Sequence, residues 1–445
     1  MCPENEDNIP MIALIQAGGA GTRLKELTGD LPKPMVPIAG KPILQWQVES
    51  LVRSGVEHII MVCPKNSTAI QDHFKDGSAF GAKIRYLVEE VPLGTGGALY
   101  YAAKMIKEDF FLLFGDLMLD VDFQRFLKFH KKSQAIITTF AHPNSHPYDS
   151  DVLVRDAWNK VIHILSKKEP REGYYENLTN AGLYVVSKSL LDTFRDMEEP
   201  MKMDFEKDLL APSIYSDGVY CYRSSEYVKD CGTPDRYASV NRDTETGVVK
   251  SRNLGNPQKA IFLDRDGVIN VFEDFVTSPD QFILKDDAAK ALRCINESRY
   301  LAICITNQPV VARGETDLAT LKEIHNKMEV LLGEGGAYLN DLYFCPHHPD
   351  KGFPGEVPEL KIDCECRKPK IGLLLRAQKD YNIDLKVSWF VGDTLMDVQT
   401  GINAGCKTVL ITSGDTRPMP KYADAKPDYI VKDLAEAVEL ILSKE

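Results

Sequence analysis

One short stretch of this chain constrains its fold and its chemistry more than any other. Residues 260–270 form an apolar run that ends in two acids, Asp264 and Asp266, followed by a glycine. Such a run predicts a buried strand, and open α/β sheets bind ligands at the carboxyl ends of their strands. Two carboxylates held this close repel one another unless a cation lies between them. The stretch therefore predicts a Mg²⁺ site with Asp264 as a nucleophile and Asp266 as a proton-transfer group. The competing interpretation is an ordinary Asp-Gly turn.

Composition limits the classes of function that the chain can have. Its 445 residues are too many for one core and predict two or three domains. A net charge of −12 argues against binding to nucleic acid or to anionic membranes. The acidic residues 1–7 lack the basic start of a signal peptide, and no apolar run is long enough to span a bilayer. With no export signal expected, the ten cysteines favour reduced thiols in the cytoplasm.

The first half opens with a predicted strand at residues 11–15 that leads into a glycine-rich loop. The loop contains Gly18, Gly19, Gly21, Thr22 and Arg23. Glycines let backbone amides approach an anion closely, and Arg23 adds a planar fork that matches phosphate oxygens. Further on, Lys33 lies between two prolines that stiffen its loop, so its ammonium group can be aimed. A glycine-rich loop alone could be a tight turn, but this combination is far more specific.

Apolar runs elsewhere in the first half predict strands at residues 59–63, 84–88 and 110–114, and residues 44–51 form an amphipathic segment. A second glycine-rich loop, with Gly94 and Gly96, precedes a helix through Ala103, and the strand at 110–114 leads to Asp116. Strands that alternate with helices imply a mainly parallel sheet. The glycine-rich loops and the acid would then converge at one edge of that sheet.

Residues 11–241 resemble the sugar-1-phosphate nucleotidyltransferase family, which has a Rossmann-like domain. The family signature G-G-x-G-T-R-L and P-K-P is present at residues 18–24 and 32–34. The resemblance implies transfer of a nucleotidyl group from a nucleoside triphosphate to a sugar 1-phosphate, with release of pyrophosphate. It assigns Mg²⁺ binding to Asp116 and Asp230.

The same resemblance implies how this site would hold its substrates. Arg23 and Lys33 would neutralise the pyrophosphate, and the loop with Gly94 and Gly96 would contact the base through backbone groups. The segment with Asn180 and Gly182 matches the sugar-binding N-A-G motif. The family lysine that contacts the sugar phosphate corresponds to Lys167 or Lys168.

A polar segment with glycine and proline lies at residues 246–258, between two regions of regular pattern. This composition is typical of a linker. We therefore expect one domain at residues 1–245 and a second at residues 259–445.

The second half repeats the pattern of strands that end in polar side chains. A predicted strand at residues 300–305 leads to Thr306 and Asn307, and a strand at residues 387–391 leads to Asp393, with Asp397 four positions on; Arg367 and Lys368 lie between them. With Asp264 and Asp266, these motifs follow the order found in the haloacid dehalogenase (HAD) phosphatases, which they resemble. The resemblance implies a Rossmann-like domain in which Asp264 forms an aspartyl phosphate.

In the same resemblance, Asp266 protonates the leaving oxygen and then activates water. Thr306 and Lys368 bind the phosphoryl group, with Asn307 and Arg367 beside them as phosphate-binding candidates. Mg²⁺ is held by Asp264, by the backbone carbonyl of Asp266 and by Asp393.

Four residues between these motifs have the pattern of a metal site: Cys345, His347, Cys364 and Cys366. Three sulfurs and one imidazole form a closed tetrahedral set suited to structural Zn²⁺. The intervening loop lacks a core of its own, so a metal would hold it in place. The competing interpretation is a set of unrelated thiols.

These features narrow the resemblance to the D-glycero-D-manno-heptose 1,7-bisphosphate 7-phosphatases, with the histidinol-phosphate phosphatases as the second choice. A 7-phosphatase would produce heptose 1-phosphate, the kind of substrate that the first half would use. The two halves together predict a bifunctional enzyme that makes a nucleotide-activated heptose. GTP is the expected nucleotide by resemblance to heptose 1-phosphate guanylyltransferases, and ATP is its competitor. A regulatory nucleotide sensor is the alternative that is not an enzyme.

Overall fold

The computed structural model describes residues 11–18, 29, 31–65, 67–415 and 417–445. Gly19, Gly21, Thr22 and Arg23 lie outside these residues. The chain divides into two compact units. The first comprises the described parts of Met1–Ala141, Leu153–Ile164 and Asn180–Asn253, and the second comprises His142–Val152, Leu165–Thr179 and Leu254–Glu445.

The first half of the chain forms thirteen of the described strands. They are β1 (Ile12–Gln16), β2 (Pro37–Ile38), β3 (Lys41–Pro42), β4 (His58–Pro64), β5 (Lys83–Glu89), β6 (Phe110–Phe114), β7 (Leu117–Asp120), β8 (Ile137–His142), β9 (Val152–Arg155), β10 (Val161–Leu165), β11 (Thr179–Val186), β12 (Val219–Arg223) and β13 (Tyr227–Asp230). The largest sheet has the order β10-β9-β11-β6-β1-β4-β5, with β8 beside β11 and β12 beside β8. Strands β1, β4, β5 and β6 are parallel, whereas β11 is antiparallel to β6.

Helices connect these strands. They are α1 (Ile43–Arg53), α2 (Thr68–Phe74), α3 (Gly94–Gly97), α4 (Leu99–Ala102), α5 (Phe123–Ser133), α6 (Asp192–Arg195), α7 (Ala211–Tyr215), α8 (Pro234–Glu245) and α9 (Val248–Ser251), with a π-helix at Phe205–Leu210. Helix α1 buries Leu44, Val48 and Leu51, which lie on one face at helical spacing. This face packs in a core with Ala13 and Ile15 of β1.

The segment predicted to be a linker contains ordered structure. Gly247, at φ +78°, adopts the left-handed conformation that glycine tolerates and precedes α9. Val248 and Val249 of α9 are buried. The two units part inside this segment, between Asn253 and Leu254.

The second half forms one six-stranded parallel sheet with the order β16-β15-β14-β17-β18-β19. Its strands are β14 (Lys259–Leu263), β15 (Tyr300–Asn307), β16 (Asp341–Cys345), β17 (Trp389–Gly392), β18 (Lys407–Ile411) and β19 (Tyr429–Val431). Its helices are α10 (Ala288–Asn296), α11 (Leu318–Glu334), α12 (Gly372–Tyr381), α13 (Leu395–Ala404) and α14 (Leu434–Leu442). Apolar clusters cover the sheet on both faces, as a fully parallel sheet requires. The predicted α/β fold of both halves is confirmed.

Helices with the length and the apolarity needed to cross a membrane do not occur in the described part of the chain.

The centre of the second sheet generates a stability prediction. Phe262 of β14 is fully buried, with its ring centroid 6.4 Å from that of Phe390. Phe262→Ala should lower the free energy of unfolding by about 3–5 kcal/mol, because it leaves a cavity that cannot collapse completely. Ile430→Ala on β19, where the side chain is 63% exposed, is the control and should cost less than about 1 kcal/mol. Equal decreases in the free energy of unfolding of the two variants, measured with denaturant, would contradict this packing.

Candidate active sites and metal centre

Three carboxylates meet at the carboxyl edge of the second sheet. Asp264 follows β14 and Asp393 follows the neighbouring β17, while Asp397 lies in the first turn of α13. One ligand oxygen from each of the three lies within 4.8 Å of the others, and all three residues are buried. Adjacent parallel strands place their exits side by side, which is why residues far apart in sequence meet here. The described residues therefore hold a compact acidic cluster.

Lys368 places its ammonium group inside this cluster. Its Nζ lies 2.8 Å from Oδ2 of Asp264 and 2.6 Å from Oδ1 of Asp397, and the residue is 2% exposed. Burial disfavours the charge on Lys368, but the two carboxylates together raise its pKa above the ordinary value. Asn307, at the end of β15, fixes the Lys368 backbone: its Oδ1 accepts from the Lys368 amide at 3.0 Å. One ammonium group is thus held between a strand exit and a helix N-terminus.

Burial raises the pKa of Asp264 to about 7, with Asp397 and Asp266 adding to this effect and Lys368 opposing it. Burial also raises the pKa of Asp393 to about 8, together with repulsion from Asp397 and Asp264. A divalent cation between Asp264 and Asp393 would offset both burial and repulsion. The donor set, carboxylates without sulfur or imidazole, fits the oxygen preference of Mg²⁺.

Glycine is required beside Asp393. Gly267 has a φ of +80°, and a Cβ added there would overlap the Asp393 carboxylate. A Cβ on Gly414 would overlap the same side chain, which also accepts a hydrogen bond of 2.7 Å from the Asp415 amide. The loops around Asp393 are therefore packed directly onto its carboxylate.

The side chain of Asp266 has other partners than the acidic cluster. Arg265 donates to both of its oxygens, and Gln308 Nε2 donates to Oδ2 at 2.8 Å. Thr306 is buried next to this group, and its hydroxyl oxygen accepts a 3.0 Å hydrogen bond from Gln308. The predicted contribution of Asp266 to Mg²⁺ binding through its backbone carbonyl stays a prediction.

The four predicted zinc ligands lie together. The Sγ atom of Cys366 is 3.3 Å from that of Cys345 and 3.2 Å from that of Cys364, and His347 Nδ1 lies 3.2 Å from Cys366 Sγ. A tetrahedral ion with bonds of about 2.3 Å to sulfur separates its sulfur ligands by about 3.8 Å, so the set has the size of a zinc site. Arg367 follows Cys366 directly, and its Nη1 donates to the carbonyl of His347 at 3.3 Å.

The first half brings a second group of charges together. Lys33 forms an ion pair with Asp116, which follows β6. Strand β7 pairs with β13, and the Cys231 amide donates to the Asp116 carbonyl at 3.1 Å, so the backbone next to Asp230 lies beside Asp116. Burial works against the charge of Asp230, but Arg236, the Gly232 amide and Lys33 lower its pKa. Lys33 thus acts electrostatically on both predicted metal ligands.

The second glycine-rich loop packs against the backbone of residues 201–205. Gly94 has a φ of +79°, and a Cβ there would overlap the Met203 carbonyl, which accepts a 2.8 Å hydrogen bond from the Gly96 amide. Gln16, at the end of β1, donates to the Thr95 carbonyl. Gly18 is an exposed residue shortly after β1. The hydrogen bond from Gln16 therefore connects the loop to the end of β1. The Gly96 amide already donates to a carbonyl of the protein.

Asn180 lies in β11, where its amide is fully engaged within the protein. Its Oδ1 accepts from Thr139 Oγ1 at 2.8 Å, and its Nδ2 donates to Glu206 Oε1 at 2.8 Å. Tyr184 donates to the same Glu206 oxygen at 2.8 Å, and Gly182 lies beside them in β11 with a φ of +73°. Lys168 lies on an exposed turn after β10.

Several functional candidates were not identified from the sequence. Asp397 was seen only as part of a motif, although its 2.6 Å contact with Lys368 makes it part of the cluster. Gln308 belongs to the motif at residues 306–308, whereas Arg265 and Glu206 have no motif of their own. For Arg265, the sequence signal is its position between two acids, Asp264 and Asp266.

Comparison with known proteins supports the family expected for each half of the chain. The nucleotidyl transferase family matches residues 12–247, and the HAD-hydrolase-like family matches residues 365–437. Mannose-1-phosphate guanylyltransferase of Mycobacterium tuberculosis is 31% identical over 246 residues, which cover 54% of this chain and 67% of the relative. D-glycero-beta-D-manno-heptose-1,7-bisphosphate 7-phosphatase of Yersinia pestis is 37% identical over 186 residues, which cover 42% of this chain and 96% of the relative.

Among solved structures, HddC from Yersinia pseudotuberculosis complexed with GMP-PN is 28% identical and covers 53% of this chain and 100% of its own, with a TM-score of 0.45. The family match over residues 12–247 and the 37% identity to the Yersinia pestis phosphatase show that the chain belongs to the nucleotidyl transferase family in its first half and to the HAD-type phosphatases in its second half. Both halves are those of enzymes, as the sequence predicted.

The thiol cluster generates a prediction about metal content. Freshly purified protein should contain about one equivalent of zinc, because three thiolates and one imidazole complete a tetrahedral shell. Cys364→Ala removes one ligand and should lower the zinc content measured by elemental analysis. Cys294→Ala, which changes an exposed thiol outside the cluster, is the matched control and should leave it unchanged. Wild-type protein without zinc would show that the cluster has another purpose.

Proposed function

We propose that this protein is a bifunctional enzyme of nucleotide-activated heptose synthesis. Its second half would remove the 7-phosphate of D-glycero-D-manno-heptose 1,7-bisphosphate, and its first half would then join a nucleotide to heptose 1-phosphate. The observation that carries the proposal is the acidic cluster of Asp264, Asp393 and Asp397 with Lys368, in a half that is 37% identical to a heptose bisphosphate phosphatase. The substrates are small molecules, and we expect the reactions to take place in the cytoplasm without nucleic acid or membrane.

In the phosphatase step, an oxygen of Asp264 attacks the phosphorus of the 7-phosphate and forms an aspartyl phosphate. Asp266 gives its proton to the leaving sugar oxygen, and then takes a proton from the water that hydrolyses the aspartyl phosphate. Lys368 and Thr306 would hold the phosphoryl oxygens. Magnesium, held by Asp264 and Asp393, would supply positive charge against the phosphoryl group.

The nucleotidyl transfer step needs no covalent intermediate with the protein. The phosphate oxygen of heptose 1-phosphate attacks the α-phosphorus in line, and pyrophosphate leaves. Lys33 and Arg23 would neutralise the pyrophosphate, while Asp116 and Asp230 would hold magnesium. The segment with Asn180 and Gly182 would face the sugar through groups other than the Asn180 amide, which already has protein partners, and Lys168 would contact the sugar phosphate. GTP is the proposed nucleotide, supported by the similarity to a guanylyltransferase.

We propose the domain arrangement expected from the sequence, with residues 1–245 for transfer and 259–445 for hydrolysis; the second compact unit also contains residues 142–152 and 165–179. We propose a structural role for zinc, because its four ligands leave no open position for a substrate. Its ligands lead directly into Arg367 and Lys368.

Product analysis tests the proposed function. The protein is incubated with Mg²⁺, heptose 1,7-bisphosphate and each nucleoside triphosphate in turn, and products are identified by ³¹P NMR. We expect orthophosphate with every nucleotide, and pyrophosphate with a nucleotide-linked heptose in the presence of GTP. Histidinol phosphate serves as the competing phosphatase substrate, and heptose 1-phosphate isolates the second step. No orthophosphate from the bisphosphate, or no transfer with any nucleotide, would overturn the corresponding half of the proposal.

Single substitutions should separate the two activities. Lys33→Ala should reduce nucleotidyl transfer by about 10²–10³-fold, because a charge that stabilises the departing pyrophosphate is lost. Asp264→Asn should abolish phosphate release and leave transfer from heptose 1-phosphate intact. Lys65→Ala, which removes an exposed lysine of the same half, is the control for Lys33. Loss of both activities in either variant would show that the two sites do not work independently.

The raised pKa values of Asp264 and Asp393 predict a pH-dependent magnesium affinity. Both carboxyls must lose their protons to bind the ion, so protons compete with Mg²⁺ below about pH 8. We expect the affinity measured by calorimetry to fall by at least about tenfold between about pH 8 and pH 6. Asp393→Asn should remove most of this binding, and Asp424→Asn should not change it. An affinity that is independent of pH would contradict the assignment.

A further inference from the structure

Arg265 is a fully buried cation between the two acids of the phosphatase motif. Its relative exposure is 0%, and its guanidinium group turns toward Asp266. Nε and Nη2 lie 3.1 and 2.8 Å from Oδ1 of that carboxylate, and Nη2 lies 3.0 Å from Oδ2. Burying a guanidinium group costs free energy unless its N–H groups are hydrogen-bonded. The hydrogen bonds to Asp266 are therefore strongly favoured.

Neutral donors complete the environment of the Asp266 carboxylate. Gln308 Nε2 donates to Oδ2 at 2.8 Å, and Asn270 Nδ2 donates to Oδ1 at 3.1 Å. Both oxygens are therefore restrained, and the plane of the carboxylate is set chiefly by the rigid fork of Arg265. A residue that holds the Arg265 side chain in place therefore also determines the direction in which Asp266 can exchange a proton.

His325 of α11 contacts the remaining end of the guanidinium group. Its Nε2 lies 3.2 Å from Arg265 Nη1, and the imidazole is buried with its ring centroid 5.4 Å from that of Phe344. Nη1 can only donate, so Nε2 must be the acceptor and the ring must carry its hydrogen on Nδ1. Burial and the positive charge of Arg265 both lower the pKa of His325 well below its ordinary value, which agrees with a neutral ring.

We propose that His325 is a positioning residue for the phosphatase reaction: its neutral imidazole holds Arg265, which in turn orients the Asp266 carboxylate toward the leaving-group oxygen. The inference rests on the proposed phosphatase function of the second half. It adds His325 of helix α11 to the residues that orient the proton donor. His325 lies 61 and 59 positions from the two acids in sequence. In this role His325 acts through Arg265 and not on the reacting atoms.

This role has a kinetic signature that a merely structural role lacks. An alkoxide leaving group must be protonated as it departs, whereas p-nitrophenolate leaves readily without a proton. Asp266 also activates the water that hydrolyses the aspartyl phosphate, and this step is common to both esters, so the esters are compared by kcat/KM, which reports only the steps up to formation of that intermediate. Misorientation of Asp266 should lower kcat/KM for alkyl phosphates much more than kcat/KM for p-nitrophenyl phosphate. A simple loss of folded protein would reduce both rates equally.

Two variants of similar size test the proposal in the full-length protein with Mg²⁺. His325→Leu removes the acceptor, and His325→Gln keeps an acceptor oxygen near the position of Nε2. General acid catalysis contributes about 10²–10⁴-fold, so the loss of its geometry in His325→Leu should lower kcat/KM for heptose 1,7-bisphosphate by about 10–100-fold. We expect kcat/KM for p-nitrophenyl phosphate to change less than about threefold, and His325→Gln to restore most of kcat/KM for the bisphosphate.

Further variants keep the test decisive if His325→Leu does not fold. Arg265→Lys keeps the charge but loses the fork, and should show the same selective loss on the alkyl phosphate. Met328→Ala, at a fully buried position of the same helix, is the control for destabilisation and should not discriminate between the two esters. Equal losses on both esters in His325→Leu and Arg265→Lys would overturn the positioning role. A wild-type protein that hydrolyses neither ester would instead overturn the phosphatase function on which the inference rests.

Discussion

The phosphatase half depends on one buried interaction, the Lys368 ammonium group shared between Asp264 and Asp397. The three residues are at most 8% exposed, and both ion pairs are shorter than 3 Å. Charges buried to this degree are costly unless each is paired. The arrangement links the exit of β14 to the first turn of α13. With Asp393 added, the cluster contains three carboxylates and one ammonium group, and the excess negative charge favours a divalent cation and a phosphorylated substrate that such a cation can bind.

The thiol cluster is a second place where residues far apart in sequence come together. Between β16 and α12 the described residues contain one short 3₁₀ turn, Pro358–Leu360, so little secondary structure fixes their course. The convergence of Cys345, His347, Cys364 and Cys366 supplies that restraint instead. Lys368 follows two residues after the last ligand, and Asn307 anchors its backbone from the other side. A metal bound by these four residues would restrain the segment that leads to Lys368 without touching the substrate.

The sequence predicted those parts of the molecule that depend on local pattern. Strands β1, β4, β5, β6, β14, β15 and β17 were expected within a few residues of their observed bounds, because buried parallel strands have continuous apolar runs. The convergence of Asp264, Asp393 and Lys368 followed from motif order and from the rule that strand exits meet at one edge. The antiparallel course of β11 beside β6 could not be predicted, since it depends on the packing of the whole sheet. The same holds for the contact of His325 with Arg265, because an isolated histidine in an amphipathic helix carries no motif.

The central claim is that Asp264, at the exit of β14, is the nucleophile of the phosphatase reaction. Direct identification of the phosphorylated residue is the best test of this claim. The enzyme is mixed with heptose 1,7-bisphosphate and Mg²⁺, quenched rapidly in acid, digested and analysed by mass spectrometry. We expect a transient phosphoryl group on Asp264, formed at least as fast as orthophosphate appears. Release of orthophosphate with no such intermediate, or with the phosphoryl group on another residue, would contradict this claim.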